Sequence, residues 1–339
     1  ALYREQLEKQ SKNNLALLIK FRSFKMKKQL LIAAVAATMT SVAMADISIA
    51  GSGKLNYTNV DNQTAADTNL FSTDLVVTLT GKSGDTSVVI KQEYNDNANT
   101  DNTRAMMTKS AYMASNIAGV NVKAGTWFSA DSLLGNGTQS DGAFSADYTV
   151  EGVKVQYENK NTASGVESTG SWTVSGAVQG VSLSHEMHEN ADTDTKVSGS
   201  VAGVDIAYRS YDSDTATSDK ESIEVNYTTN GITLTYADVD VNSTGTTTSD
   251  AFFGTQASAV GDMTGFGIST AVAGNTVALK SYKINPDNAS GSVDNEFTKV
   301  VVTRPLASGS TFEATYTDKD DKNSTADSTT LDLELSVKF

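Results

Sequence analysis

The chain has 339 residues, of which 39% are hydrophobic and 19% charged, and its formal net charge is -14. It contains no cysteine, so disulfides, thiolate metal sites and cysteine nucleophiles are excluded. From Asp46 onward the sequence carries 18 basic and 38 acidic residues, and this excess of acid disfavours nucleic acid as a partner.

One long apolar run lies near the start, in MKKQLLIAAVAATMTSVAMA. Two lysines open it, the apolar part is too short to cross a bilayer as a helix, and Ala-Met-Ala closes it in the pattern of a cleavage site. The run predicts a secretory signal peptide, cut between Ala45 and Asp46. A buried core helix is the alternative, but the later sequence offers it no helical partners.

Three segments follow from this prediction. Residues 1–25 precede Met26 and are interpreted as an upstream segment that is not part of the natural protein. Residues 26–45 are the signal peptide, and residues 46–339 form the exported domain.

From Asp46 onward, apolar and polar residues alternate with a period of two. In ISIAGSGKLNY, residues 47–57, every second residue is apolar or glycine, and the terminal LDLELSVKF repeats the pattern. This periodicity predicts β-strands with one apolar and one polar face. The same alternation occurs in GVKVQYE, GVDIAYRSY, SIEVNYTT, GITLTYAD and STFEATYTD.

The connections between these strands alternate between two kinds. Short ones contain glycine, as in Asn230-Gly231, and suit tight hairpins. Long ones are rich in Asn, Asp, Thr and Ser, as in NVDNQTAADTN and TDKDDKNSTADS. A soluble sandwich would mix both lengths at each end, whereas a transmembrane barrel has short periplasmic turns and longer extracellular loops.

An aromatic residue closes the apolar face of most strands just before a long connection. Such residues would form a ring at one height, as at the membrane interface of a barrel. The predicted ring comprises Tyr57, Tyr94, Phe128, Tyr157, Tyr208, Tyr236, Tyr282 and Tyr316.

Eight short turns imply 18 strands, and merging one hairpin, around 189–203 or 240–275, would give 16. The sequence therefore predicts an all-β fold, a single closed antiparallel transmembrane barrel of 16 to 18 strands. Closure is required because an open edge in lipid would leave backbone groups unpaired.

The signal peptide followed by DISIAGSGKLNY, the glycine-turn hairpins and the final Phe339 together resemble the Gram-negative general (diffusion) porin family. The resemblance implies a trimer of 16-stranded barrels in the outer membrane, surrounded by lipid and lipopolysaccharide. It also implies that the barrel-assembly machinery recognises Phe339.

In that family the third extracellular loop folds inward and narrows the pore. The third long connection here is SADSLLGNGTQSDG, residues 129–142, so the resemblance marks Asp131 and Asp141 as constriction residues. The sequence departs from the family in its basic wall, since only Arg104, Arg209 and Arg304 follow Asp46.

A water-filled channel needs a polar inner wall, and the alternation assigns one. The candidate pore-lining residues are Lys54, Lys91, Lys123, Lys154, Arg209, Glu224 and Glu313. The rest of the assigned inner face comprises Asn56, Glu93, Gln156, Glu158, Asp205, Asn226, Asp332, Glu334 and Lys338.

Other functions find little support in the sequence. The segment HEMH places His185 and His188 three apart in a period-two strand, so their rings should face opposite sides, unlike the zinc-protease motif. No enzyme and no cofactor are expected, although the acidic connections could hold Ca²⁺ loosely.

We therefore expect a porin that lets small hydrophilic solutes and ions diffuse through the outer membrane. A substrate-specific outer-membrane channel is the alternative, and a secreted β-rich adhesin is a weaker one.

Overall fold

The computed structural model describes residues 46–63, 66–97, 105–127, 140–162, 169–189, 191–214, 219–242, 248–250, 252–256, 261–285, 295–322 and 327–339. Residues 1–45, with the predicted signal peptide and Ala45, lie outside these ranges. No helix within them is long and apolar enough to cross a membrane. One short 3-10 helix, η1, covers Ala307–Gly309.

The described chain is organised almost entirely in strands. Their bounds are β1 Asp46–Asn62, β2 Thr68–Ser83, β3 Thr86–Asn97, β4 Ala105–Ile117, β5 Val120–Thr126, β6 Ser140–Val150, β7 Val153–Thr162, β8 Thr169–Val178, β9 Val181–His188, β10 Thr193–Val201, β11 Val204–Asp212, β12 Asp219–Thr229, β13 Ile232–Asn242, β14 Thr248–Asp250, β15 Gly254–Gln256, β16 Asp262–Val272, β17 Asn275–Asn285, β18 Asn295–Pro305, β19 Ser310–Asp321 and β20 Ser328–Lys338.

Eighteen of these strands form one closed antiparallel barrel. Each pairs with the next along the chain, and β20 pairs back onto β1 with Ser336 opposite Lys54. The remaining two, β14 and β15, form a separate hairpin between β13 and β16. The count of 18 from the turns is confirmed, and the 16 strands implied by the family resemblance is wrong for this chain.

The barrel has an apolar outer face, and its inner face is polar except on part of β13, β16 and β17. Residues paired across neighbouring strands point to the same side, so the register assigns each strand's two faces. On the outside, Leu183, Ile206 and Leu279 are 51%, 46% and 46% exposed. Apolar side chains this exposed in a closed sheet fit a lipid-facing belt.

Six of the eight short turns are two-residue turns with positive φ at both central residues, as at Ala273 and Gly274. This is the backbone of a type I′ hairpin, which matches the twist of the flanking strands. Asparagine tolerates positive φ better than alanine does.

Ala273→Asn is therefore expected to stabilise the folded barrel by about 0.5 kcal/mol. Urea unfolding of the refolded protein in detergent measures the change. Ala271→Asn, in the neighbouring strand, is the matched control and should bring no gain. An equal effect at both positions would contradict the assignment of the turn.

The predicted aromatic ring is largely present on the outer face. Tyr57, Tyr157 and Tyr236 each pack against an aromatic residue of the next strand. By register Tyr94, Tyr208 and Tyr316 also point outward, while Phe128 lies outside the described residues. The prediction for Tyr282 is wrong, since this residue pairs with Gly265 on the inner face and is buried.

The chain closes at a seam between its first and last strands. Gly51 and Phe339 exchange two backbone hydrogen bonds of 2.8 and 3.0 Å. The Phe339 ring lies over Gly51, where an added Cβ would come within 2.6 Å of the ring and 2.9 Å of the Val76 carbonyl oxygen. Glycine thus provides the space that the terminal ring occupies.

We expect Gly51→Ala to destabilise the barrel by about 1–3 kcal/mol, because it overpacks this seam. Refolding into detergent without assembly factors, followed by urea unfolding, measures the loss. The same substitution in a Phe339→Ala background should cost less, because the ring is gone. Equal costs in both backgrounds would show that the ring does not use this space.

Candidate functional site: the barrel lumen

The seven candidate pore-lining residues all lie on the inner face. The register assigns them there, since each pairs with or stands two residues from other inward-facing residues. They are Lys54, Lys91, Lys123, Lys154, Arg209, Glu224 and Glu313. Their part in conduction stays a prediction, and Arg209 has a different environment from the rest.

Three ion pairs place both signs of charge on the inner wall. Lys54 Nζ lies 3.0 Å from Glu334 Oε2, and Lys109 Nζ lies 3.2 Å from Glu93 Oε1. Lys154 Nζ is 3.7 Å from an oxygen of Asp147. Their side chains keep part of their surface exposed, so the pairs add little stability but present local fields to the lumen.

Two acids of the wall are hydrogen-bonded to neutral neighbours. Glu224 Oε1 accepts a hydrogen bond of 2.6 Å from Asn226 Nδ2. Glu313 Oε2 accepts one of 3.0 Å from Thr303 Oγ1. These contacts orient the carboxylates along the wall.

Arg209 is buried rather than open to the lumen. Its guanidinium makes a two-pronged contact with Asp194, with Nε 3.1 Å from Oδ1 and Nη2 bonded to Oδ2. Asp194 is 2% and Arg209 7% exposed, and Lys220 beside them is also buried. Arg209 therefore serves this ion pair, and its assignment as an open wall position is corrected.

The constriction predicted on the third long connection falls mostly outside the described residues. Asp131 is among those not described. Asp141 lies in β6, at the shift of register between Ser140 and Ala143. The proposal that these two acids narrow the pore stays a prediction.

A cation–aromatic cluster stands where the third connection leaves the barrel. Lys123 Nζ lies 3.9 Å from the centre of the Trp127 ring and 4.4 Å from that of Tyr112. Trp127 is only 4% exposed. These contacts hold the ammonium of Lys123 at a defined place on the inner wall.

The structure shows an inward element that the sequence did not lead us to predict. The hairpin β14–β15 follows β13, and the residues at its turn, Phe252 and Phe253, are 6% and 2% exposed. They join a buried cluster on the inner face of β13, β16 and β17: Ala237, Val239, Val241, Met263, Tyr282 and Ile284.

Two glycines in β16 leave space for the aromatic rings of this hairpin. A Cβ added to Gly265 would lie 2.5 Å from Phe252 Cε1 and 3.0 Å from Phe253 Cε1. A Cβ on Gly267 would lie 2.9 Å from Phe252. Two glycines on the inner face of β16 thus form a seat for the Phe252 ring.

Lys280, in β17, also contacts the hairpin. Its Nζ donates a hydrogen bond of 2.9 Å to the Phe252 carbonyl oxygen and lies 4.6 Å from the centre of the Phe252 ring. A charged hydrogen bond in a part-buried place adds to the apolar packing. The hairpin is consequently held inside the barrel, where it narrows the lumen from one side.

A signal for this element was present in the sequence. The doublet Phe252-Phe253 stands in a connection of Ser, Thr, Asp and Gly, where two bulky apolar residues have no reason to face water. Inward apolar residues on β13 gave a second signal, since Ala237 and Val239 interrupt a polar face. Neither signal states which strands the rings would contact.

Charges beyond the aromatic ring form a small network at the rim. Lys322 Nζ lies 2.6 Å from Asp320 and 3.1 Å from Glu296, which also bonds Lys283. Hydrogen bonds to Asp320 and Glu296 raise the pKa of Lys322. Hydrogen bonds from Lys283 and Lys322 lower the pKa of Glu296. Both shifts favour the charged forms of Lys322 and Glu296.

The two histidines face opposite sides of β9. His185 Nδ1 bonds Thr195 Oγ1 at 2.9 Å on the outer face, while His188 lies 3.8 Å from Glu186 on the inner face. Within the described ranges no group of three His, Asp or Glu side chains is arranged to hold a metal ion. The acidic connections predicted to bind Ca²⁺ loosely are only partly described.

Comparisons with known proteins identify the architecture. Neither a protein-family model nor a curated protein sequence matches the chain. Among solved structures, OpdL of Pseudomonas aeruginosa is 9% identical with a TM-score of 0.67, over 87% of this chain and 99% of that one. The outer membrane protein OprD from the same organism is 14% identical with a TM-score of 0.66, over 87% and 94%.

A mutant of the Rh. blastica porin is 15% identical with a TM-score of 0.53, over 87% of this chain and 100% of that one. At such identities the likeness concerns the fold, and it extends over nearly the whole length of each protein. This chain therefore has the barrel fold of the outer-membrane porins.

Proposed function

We propose that this chain is an outer-membrane channel through which small hydrophilic solutes and ions diffuse passively. The observation that carries the proposal is the closed 18-stranded barrel, apolar outside and charged on much of its inner wall. A barrel of 16 to 18 strands is wide enough to enclose an aqueous channel. The shared fold with a porin and an outer membrane protein supports this function and location.

The experiment is single-channel recording of the purified, refolded protein in planar bilayers. Stepwise ionic conductance is expected, because hydrated ions can pass through an aqueous channel lined by charged groups. The absence of any conductance from folded, heat-modifiable protein would contradict the proposal. Reversal potentials under a salt gradient would test the mild cation preference that the acidic charge suggests.

A substrate-specific channel is the second candidate. It is favoured by the seated hairpin with Phe252 and by the aromatic residues Tyr112, Trp127 and Tyr282 inside the barrel. A narrow lumen with fixed rings can discriminate among solutes better than an open pore. Saturation of flux at high solute concentration would distinguish this candidate from free diffusion.

The partners follow from the same proposal. The outer belt would contact outer-membrane lipid and lipopolysaccharide, and a homotrimer would produce conductance steps in groups of three. The barrel-assembly machinery would recognise Phe339. Residues 26–45 would act as the signal peptide for export and would be cleaved off before Asp46. A secreted adhesin is disfavoured, because a closed barrel with an exposed apolar belt needs a lipid environment.

A further inference from the structure

A recess of about 450 Å³ lies on the inner wall, formed by β3 to β7 and separate from the hairpin cluster. Its charged lining comprises two lysines, Lys123 and Lys154, and three acids, Asp85, Asp147 and Glu158, and side-chain amides and hydroxyls lie between them. The volume suits a solute of amino-acid size, and the lining contains both signs of charge in one place.

Hydrogen bonds hold two of these acids, Asp147 and Glu158, in position. Asn121 Nδ2 donates to Asp147 Oδ2 at 3.0 Å, and Asn121 in turn accepts a bond of 2.8 Å from Asn116. Glu158 Oε2 accepts a bond of 3.1 Å from Gln156 Nε2. Neutral amides thus orient both carboxylates.

The two lysines are positioned differently. The rings of Trp127 and Tyr112 hold the ammonium of Lys123. Lys154 Nζ stands 3.7 Å from Asp147, with its side chain 41% exposed. Each ammonium therefore has a carboxylate within the same recess.

The register places one lysine and one glutamate two strands apart on the wall. Lys123, Ser145 and Glu158 are paired in line on β5, β6 and β7. Adjacent strands lie about 4.8 Å apart, so the two charged residues start about 10 Å apart with a hydroxyl between them. A small molecule placed over Ser145 would meet an ammonium on one side and a carboxylate on the other.

We propose that this recess binds small zwitterionic solutes of the neutral amino-acid class on their way through the barrel. The solute's carboxylate faces Lys123 and its ammonium faces Glu158. A lone anion would approach fixed acids, a lone cation would approach fixed lysines, and an uncharged polyol would leave both charges unmatched. The proposal rests on the proposed channel function, whose substrate class it names.

The test uses the full barrel in liposomes, with swelling rates measured for glutamine and for mannitol. Glutamine, the zwitterion, is expected to enter faster than mannitol and to saturate. The double variant Lys123→Met with Glu158→Gln should lower the ratio of glutamine entry to mannitol entry several-fold, towards one. Lys299→Met, on the inner face of β18, is the matched control and should keep the preference.

Bilayer conductance of the same preparations distinguishes a failure of the proposed zwitterion site from a failure of the proposed channel function. Normal conductance with equal glutamine and mannitol rates in the wild type would overturn the zwitterion site and leave the channel function standing. Faster entry of glutamate or lysine than of glutamine would also overturn it, because one sign of charge would then dominate. Loss of conductance altogether would instead remove the proposed function.

Discussion

Replacing both Phe252 and Phe253 with alanine is expected to release the seated hairpin and to raise single-channel conductance. Both rings are buried against the inner face of β13, β16 and β17. Each truncation of a buried phenylalanine costs about 3–5 kcal/mol. The Lys280 hydrogen bond, worth about 1.5–3 kcal/mol, cannot offset that loss. The lumen on that side would then open.

Gly265→Val should release the hairpin independently, because the valine side chain would occupy the space of the Phe252 ring while the hairpin sequence stays intact. Phe266→Ala is the matched control, since this ring points to the outer face and is 64% exposed. Conductance should rise in the first variant and stay unchanged in the second. Unchanged conductance in both the double alanine variant and Gly265→Val would show that the hairpin does not limit the pore.

Asp194→Ala is expected to destabilise the barrel by about 3–5 kcal/mol, because it removes the carboxylate that pairs with the buried guanidinium of Arg209. The double variant Asp194→Leu with Arg209→Met removes both charges and should cost much less. Urea unfolding of the refolded protein, together with the temperature at which its compact gel form disappears, measures both.

An exposed ion pair of the same wall gives the control. Lys54 and Glu334 lie 3.0 Å apart with side chains 49% and 32% exposed. Glu334→Gln should therefore change stability by less than about 1 kcal/mol. If Asp194→Ala cost no more than Glu334→Gln, water would reach the Arg209 guanidinium, and its burial would be refuted.

Local patterns predicted most of the barrel. Alternation of apolar and polar residues, as in LDLELSVKF, assigned the two faces of each strand, because side chains of a strand point alternately to its two sides. The short glycine turns gave the number of strands. They did so better than the family resemblance, whose expected number of 16 strands differs from the 18 of the structure.

The sequence predicted which residues face the inner wall but not how exposed each of them is. Alternation assigned Lys54, Lys154 and Arg209 to the same face, and the register agrees. It could not tell that Lys54 is half-exposed and that Arg209 is buried with Asp194, since burial depends on what packs over a residue. That information resides in side-chain contacts, which the alternation does not specify.

The orientation of Tyr282 was also not predictable from the local sequence. Its place before a long connection matched the other ring tyrosines, but its side chain points inward and packs beside Phe253 and Phe297. A tyrosine at the end of a strand can face either side, and the local sequence does not decide between lipid and lumen when the inner neighbours are also apolar.

The sequence by itself determined the strands, their apolar and polar faces and the alternation of short and long connections. These depend on the two-residue period and on turn chemistry, both local properties. The tertiary structure alone decided which connection enters the lumen and which charges are buried. Those outcomes depend on side-chain packing: Phe252 packs over Gly265, and Arg209 pairs with Asp194 across the β10–β11 hairpin. The two-residue period assigns a side chain to a face but does not state what covers it.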